Sequence, residues 1–220
     1  MAEELYDVVV VEDVMVAMRD GVRLATDLYF PARDGVRVGK KLPAVFHRTP
    51  YDKSDVERNG GYGRFFAQRG YVAVYQDCRG TFRSEGDVDF LVPEAEDGYD
   101  ALMWIDEQPW SDGKVGSWGT SWSGWTQTAM AALGPGNLVA MVPNMSGADA
   151  HESSVRQGGG AGVAFFGVGV LAFGGQYAGK AQSRSGGRWG VESGRAEFCR
   201  LARADADPQR TDPAQGGTAI

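Results

Sequence analysis

The run Lys114-Val115-Gly116-Ser117-Trp118-Gly119-Thr120-Ser121-Trp122-Ser123-Gly124 sets a Gly-x-Ser between a strand-like stretch and a helix-like one. A serine on a sharp strand-to-helix turn has its hydroxyl lifted clear of the sheet edge, where it could attack a carbonyl carbon. Gly119 and Gly124 carry no Cβ, so strand and helix can approach closely on either side of Ser121. The N-terminus of the following helix adds positive potential where an oxyanion would form. The spacing departs from Gly-x-Ser-x-Gly, because Ser123 holds the fifth position and the glycine comes one later. From these residues alone, a nucleophile and an ordinary turn serine both stay open.

Two further segments carry candidate chemistry. Arg48-Thr49-Pro50-Tyr51-Asp52-Lys53 follows a short apolar run, and a tyrosine hydroxyl there could donate to a developing alkoxide. Spacing by itself favours a plainer reading of Tyr51 as a turn residue after proline. Asp77-Cys78-Arg79-Gly80-Thr81-Phe82-Arg83-Ser84-Glu85-Gly86 mixes charges and glycines at a strand end. That composition suits a loop tied by Arg–carboxylate bonds rather than a catalytic one. Cys78 has no histidine near it in sequence, so no base can be assigned to it. Trp104, Trp110, Trp118 and Tyr99 read as core.

These groups need a scaffold, and the pattern of apolar residues predicts one. Residues 8–17 and 22–30 read as strands, with Asp20-Gly21 as a hairpin turn between them. Residues 42–46, 71–75 and 138–142 read as short buried strands, and 114–118 as a short strand. Residues 62–69 look helical and end at Gly70. Residues 93–107 form a helix with Pro93 in its first turn and Glu94, Glu96 and Asp97 near its positive end. Its expected apolar stripe is Tyr99, Leu102 and Met103, with Trp104. Residues 119–124 form a tight turn, and residues 123–133 a helix of small residues. Strands alternating with helices imply a mostly parallel sheet covered on both faces, and the opening hairpin makes it mixed. The fold class expected is therefore α/β.

Composition narrows the function. Lys and Arg number 22 against 29 Asp and Glu, a net charge of −7, which argues against nucleic-acid binding. The two cysteines, Cys78 and Cys199, cannot build a disulfide framework, and no Cys or His spacing offers a metal site. No cofactor is expected. Met1-Ala2-Glu3-Glu4-Leu5 lacks a basic and an apolar region, and no stretch approaches the ~20 apolar residues of a membrane span. The apolar run at 161–173 is short and broken by Gly167 and Gly169. A cytoplasmic location without membrane contact is the expectation.

Taken together, the segments resemble one family. Arg48 to Lys53, Asp77-Cys78-Arg79-Gly80 with Ser84-Glu85-Gly86, and Asp97-Gly98-Tyr99-Asp100 with Trp104-Ile105 and Gln108-Pro109-Trp110 lead into Gly113-Lys114-Val115-Gly116 and the serine turn. The opening Met18-Arg19-Asp20-Gly21-Val22-Arg23-Leu24-Ala25-Thr26-Asp27-Leu28-Tyr29 fits the same group. Over roughly residues 12–157 the chain resembles the Xaa-Pro dipeptidyl-peptidase and cocaine-esterase-like hydrolases, which also accept a glycine placed as at Gly124. The resemblance implies an α/β-hydrolase core, a helical cap after the strand near 138–143, and a C-terminal jelly-roll-like domain. It implies Ser121 as nucleophile, with an oxyanion hole from the Trp122 backbone N–H and the Tyr51 hydroxyl. It implies substrates that are small esters, amides or short peptides, cleaved through an acyl-enzyme.

In this fold the acid and histidine follow the serine along the chain. The sequence offers His47, read as a strand-end histidine, and His151, read with Asp149 and Glu152 as part of a polar cluster. Neither is assigned as base. Residues 183–220 show no period of 2 or 3.6. The expected division is thus 1–145 hydrolase core, 146–182 partial cap and 183–220 irregular tail, with the C-terminal half of the family architecture missing. A truncated or frame-shifted, catalytically inactive fragment, at most a binding module, is the rival to an active serine hydrolase.

Overall fold

In the computed structural model, residues 5–55, 61–89 and 91–147 are described, together with the backbone of 156–157 and 160–161. The chain divides into two units, Met1–Gly162 and Val163–Ile220, and every described residue belongs to the first. The expected cap and tail assignments, 146–182 and 183–220, fall almost wholly outside the described residues.

The chain opens with two long strands, β1 (Asp7–Ala17) and β2 (Arg23–Arg33), paired antiparallel. Between them the Met18 N–H donates to the Val22 carbonyl and the Gly21 N–H to Met18, closing the turn foreseen at Asp20-Gly21. A short β3 (Val36–Arg37) folds back on β2 before β4 (Leu42–Thr49). Then come α1 (Gly61–Gln68), β5 (Val72–Asp77), α2 (Glu94–Asp106), β6 (Ser111–Thr120), α3 (Trp122–Ala131) and β7 (Leu138–Asn144). A two-residue pair, β8 (Arg156–Gln157) and β9 (Gly160–Ala161), lies apart from the main sheet.

The sheet order is β1-β2-β5-β4-β6-β7, with β3 attached to β2. Strands β5, β4, β6 and β7 are parallel neighbours, and β2 is antiparallel to both β1 and β5. β2 therefore runs against a direction that the other six, β3 included, share. The sequence order crosses over at β4 and β5, which right-handed helical connections permit.

Alternation along the strands divides the core between two faces. Ala44, Phe46, Val72, Val74 and Val115 pack with Ala101, Leu102 and Ile105 of α2 and Met130 of α3. Tyr29, Ala73 and Tyr75 pack with Ala67 of α1 on the other side. All six residues of β5 are buried, as a central strand covered on both faces requires. The α1 helix stops where Gly70 adopts φ 89°, with the Gly70 and Tyr71 N–H groups capping the Ala67 and Phe66 carbonyls.

Three expectations change. The α2 stripe is Gly98, Ala101, Leu102 and Ile105, while Tyr99 and Met103 are only half-buried. Helix α2 also buries two of its first-turn carboxylates, Glu94 and Asp97, for which the sequence reading had named no buried partner. Strand β7 is not buried: Val139 and Val142 are 62% and 61% exposed. It pairs with β6 on one side, and no described strand lies on the other. Among the described residues, no helix is long and apolar enough to cross a membrane.

Candidate active site

Parallel strands end together. β4 stops at Thr49 beside Asp77 of β5, and β6 stops at Thr120 beside Asn144 of β7. The loops that leave this edge carry Tyr51, Lys53, the 78–86 segment and Ser121. In open α/β sheets this carboxyl edge is where ligands bind.

The turn between β6 and α3 is a single residue. The expected six-residue turn at 119–124 is replaced by a strand that runs on to Thr120 and a helix that starts at Trp122. Ser121 joins them at φ 61° and ψ −120°, a conformation costly for a residue with a side chain. Its neighbours over-determine it. The Ser121 N–H donates to the Asn144 carbonyl at 2.9 Å, and its own carbonyl accepts from Gly124 and Trp125. A Cβ on Gly119 would lie 2.5 Å from the Ser123 carbonyl oxygen, and one on Gly124 would lie 2.6 Å from the Ser146 Cβ. These contacts explain a glycine at 124 rather than 123: the close approach is to the segment after β7, and position 123 faces Gly119. The Ser121 side chain is left exposed.

Tyr51 comes to it from the loop after β4. The phenol donates to Ser121 Oγ at 3.3 Å and accepts from the Trp122 backbone N–H at 3.3 Å. Structure thus brings together Ser121, Tyr51 and the Trp122 N–H, seventy residues apart in sequence for the first pair. A carbonyl oxygen placed between the phenol and this N–H would meet two donors at the N-terminus of α3, a suitable setting for negative charge.

The loop holding Tyr51 is tied at both ends. Arg48 and Thr49 belong to β4 and are buried, not part of a loop as expected. The Lys53 ammonium is buried and donates to Asp27 at 2.7 Å and Asp13 at 2.8 Å. A bulge in β1 between Val11 and Val14 brings Asp13 into reach. The Lys53 N–H donates to Asp77 Oδ1 at 2.8 Å, and the Arg83 N–H to Asp77 Oδ2 at 3.3 Å. The 78–86 loop is tied as foreseen, by Arg79 to Asp97 and Asp20 and by Arg23 to Glu85. Cys78 is buried in it, and burial pushes its thiol up, away from the thiolate a nucleophile needs.

Burial also pushes the Asp77 carboxyl up, to about 6, although the Lys53 and Arg83 N–H groups oppose this. An unfolded aspartate titrates at about 3.9, so the folded state holds this proton more tightly. Its stabilising effect is therefore complete below about pH 4 and is lost as pH rises through about 6. A carbon-13 titration of the Asp77 carboxyl is expected to show a midpoint near 6. A midpoint at the unfolded value would contradict the buried position.

His47 is buried on β4, with Nδ1 2.9 Å from the Trp118 carbonyl oxygen. The carbonyl can only accept, so Nδ1 carries the proton. The ring stacks on Trp118 at 4.6 Å and tilts against Tyr75 at 5.1 Å. This is the strand-end role expected of it. His151 lies outside the described residues.

A mixed sheet of this order, with an exposed serine on a strained turn between a parallel strand and its helix, defines an α/β-hydrolase. The chain belongs to the X-Pro dipeptidyl-peptidase (S15) family, whose pattern matches residues 20–212. The match passes residue 183, where the loss of periodicity had suggested a break. A cocaine esterase from Rhodococcus sp. (strain MB1 Bresler) is 44% identical over 155 residues, covering 69% of this chain and 26% of the relative. Two solved structures are similar in fold and sequence. An α-amino acid ester hydrolase superposes with a TM-score of 0.55 at 32% identity, covering 68% of this chain and 27% of that one. A CocE/NonD family hydrolase from Staphylococcus aureus gives a TM-score of 0.58 at 28% identity, covering 66% and 29%. The chain spans about a quarter of the length of these relatives. The resemblance read from the three motifs is borne out.

Sequence reasoning missed the residues beneath the site. Glu94 accepts from the Trp122 indole N–H at 2.7 Å and pairs with the fully buried Arg48 at 2.9 Å. The one available signal was Arg48 itself, a cation directly after an apolar run and so bound to need a buried partner.

Proposed function

We propose that this chain carries the nucleophile and oxyanion-binding half of a serine hydrolase site that cleaves small esters or amides. Ser121 Oγ attacks the substrate carbonyl carbon, and the carbonyl electron pair moves to oxygen. The Tyr51 hydroxyl and the Trp122 N–H stabilise that oxyanion. Collapse of the tetrahedral adduct expels the alcohol or amine and leaves an ester on Ser121, which water hydrolyses. The observation that carries the reading is the contact of one phenol with both Ser121 Oγ and the Trp122 N–H, each at 3.3 Å.

A serine hydroxyl is a weak nucleophile until a base takes its proton. His47 is committed to the Trp118 carbonyl and the aromatic stack, so the base of this proposal lies outside the described residues. The relatives' names span ester hydrolysis and Xaa-Pro dipeptide release. In keeping with those names, the substrate proposed is a small acyl or aminoacyl ester or amide, with a short peptide as the alternative.

Rapid mixing with an excess of p-nitrophenyl acetate tests the acyl-enzyme. A burst of p-nitrophenol equal to the protein concentration, followed by slower turnover, is expected. Mass spectrometry should then find the acetyl group on the peptide containing Ser121. A linear time course with no acetylated peptide would refute it. The exposed apolar face of β7 favours a second reading, in which the chain binds without turnover. Release of p-nitrophenol no faster than the uncatalysed background, with no acetylated peptide, would select it.

A further inference from the structure

Glu94, the first residue of α2, is 1% exposed. Its Oε1 accepts from Trp122 Nε1 at 2.7 Å. Its Oε2 lies 2.9 Å from Arg48 Nη1, and the same nitrogen donates to the Glu94 carbonyl at 2.9 Å. Arg48 is fully buried, donates through Nε to Gln76, and lies 3.7 Å from Asp97. Arg48 stands three residues before Tyr51 on the strand that delivers the phenol. Trp122 supplies the backbone N–H. One carboxylate therefore grips a side chain from each of the two segments that meet at Ser121. The circuit closes where the Trp122 N–H reaches the Tyr51 oxygen at 3.3 Å.

We propose that Glu94 is a positioning residue for the oxyanion-binding pair, acting through the Trp122 indole on one side and Arg48 on the other. The inference rests on the serine-hydrolase reading for its function, though not for its geometry. The indole bond to Glu94 Oε1 is a buried, charge-assisted hydrogen bond, short and directional, while Arg48 anchors Glu94 through an ion pair to Oε2 and a hydrogen bond to its backbone carbonyl. The indole in turn fixes the first turn of α3, in which the N–H must face the phenol. The plainer alternative makes Glu94 only the counter-ion that Arg48 needs in the interior. The two differ in what the indole bond does.

The test uses the full chain labelled with 15N-tryptophan, with Trp122→Phe assigning the Trp122 resonances by their loss. In Glu94→Gln the Trp122 indole resonance is expected to shift upfield and the Trp122 backbone amide to shift with it, while Trp104 and Trp110 stay in place. An indole shift with an unmoved backbone amide would make Glu94 a counter-ion only and overturn the proposal. Should Glu94→Gln not fold, Glu94→Asp keeps the charge for Arg48 but shortens the reach to the indole, and is read in the same way. In turnover, Trp122→Phe retains the backbone N–H and the Arg48–Glu94 pair. It is expected to lower kcat about tenfold at unchanged KM, within the cost of misplacing a group by up to an ångström. An unchanged kcat would also overturn the proposal. If the unaltered chain shows no Ser121-dependent hydrolysis, the hydrolase reading fails while the resonance shifts still decide the role of Glu94.

Discussion

Ser121→Ala is expected to lower p-nitrophenyl ester hydrolysis on the order of 10⁴-fold or more, the scale on which removing a hydrolase's serine acts. The fold should survive the change. Alanine keeps the Cβ and meets the same strained φ of 61°, which the Asn144 carbonyl and the Gly124 and Trp125 amides hold in place. The hydroxyl is exposed and makes a 3.3 Å contact with Tyr51. A surface substitution of this kind changes stability by about 0.5 kcal/mol or less. Thermal melting should therefore superimpose while turnover disappears. Equal rates for the two proteins would place any esterase activity elsewhere and end the assignment of Ser121.

The second large effect is expected at Tyr51. Tyr51→Phe removes one donor and keeps the ring, so kcat should fall by about 10²–10³, or ~2.7–4 kcal/mol of transition-state stabilisation. KM should change little, because the donor is needed once the carbonyl oxygen carries charge. The position of the ring should hold, since the loop is anchored by Lys53 on Asp13 and Asp27 and by Asp77 on the Lys53 N–H. A raised KM with kcat intact would instead assign the phenol to substrate binding.

Much of the scaffold was legible because local pattern dictates it. The hairpin at Asp20-Gly21 needs only turn chemistry between two β-rich runs. Gly70 marks the end of α1 because the residue there must take positive φ, which glycine does without strain. The elbow was legible for the same reason. Gly119, Ser121 and Gly124 are local requirements of one turn, even though the partners that force them, Ser123, Asn144 and Ser146, were not foreseen.

What failed to be read depends on partners far along the chain. Glu94 and Asp97 look like ordinary first-turn acids until Arg48 and Arg79 arrive from other elements to neutralise them. Apolar runs look buried wherever they occur, yet β7 lies exposed, because burial depends on what packs beside a strand and not on the strand's own residues. Lys53 could be seen as a motif residue but not as a buried ammonium between two aspartates.

The main strands and helices, the serine turn and the family could be read residue by residue, since backbone preferences act over a few residues and motifs are read in order. It took the folded chain to bring the Tyr51 phenol to that serine and the Trp122 N–H, and to set Glu94 between Arg48 and the Trp122 indole. Those contacts join segments tens of residues apart, brought to one sheet edge by crossovers that no local pattern encodes.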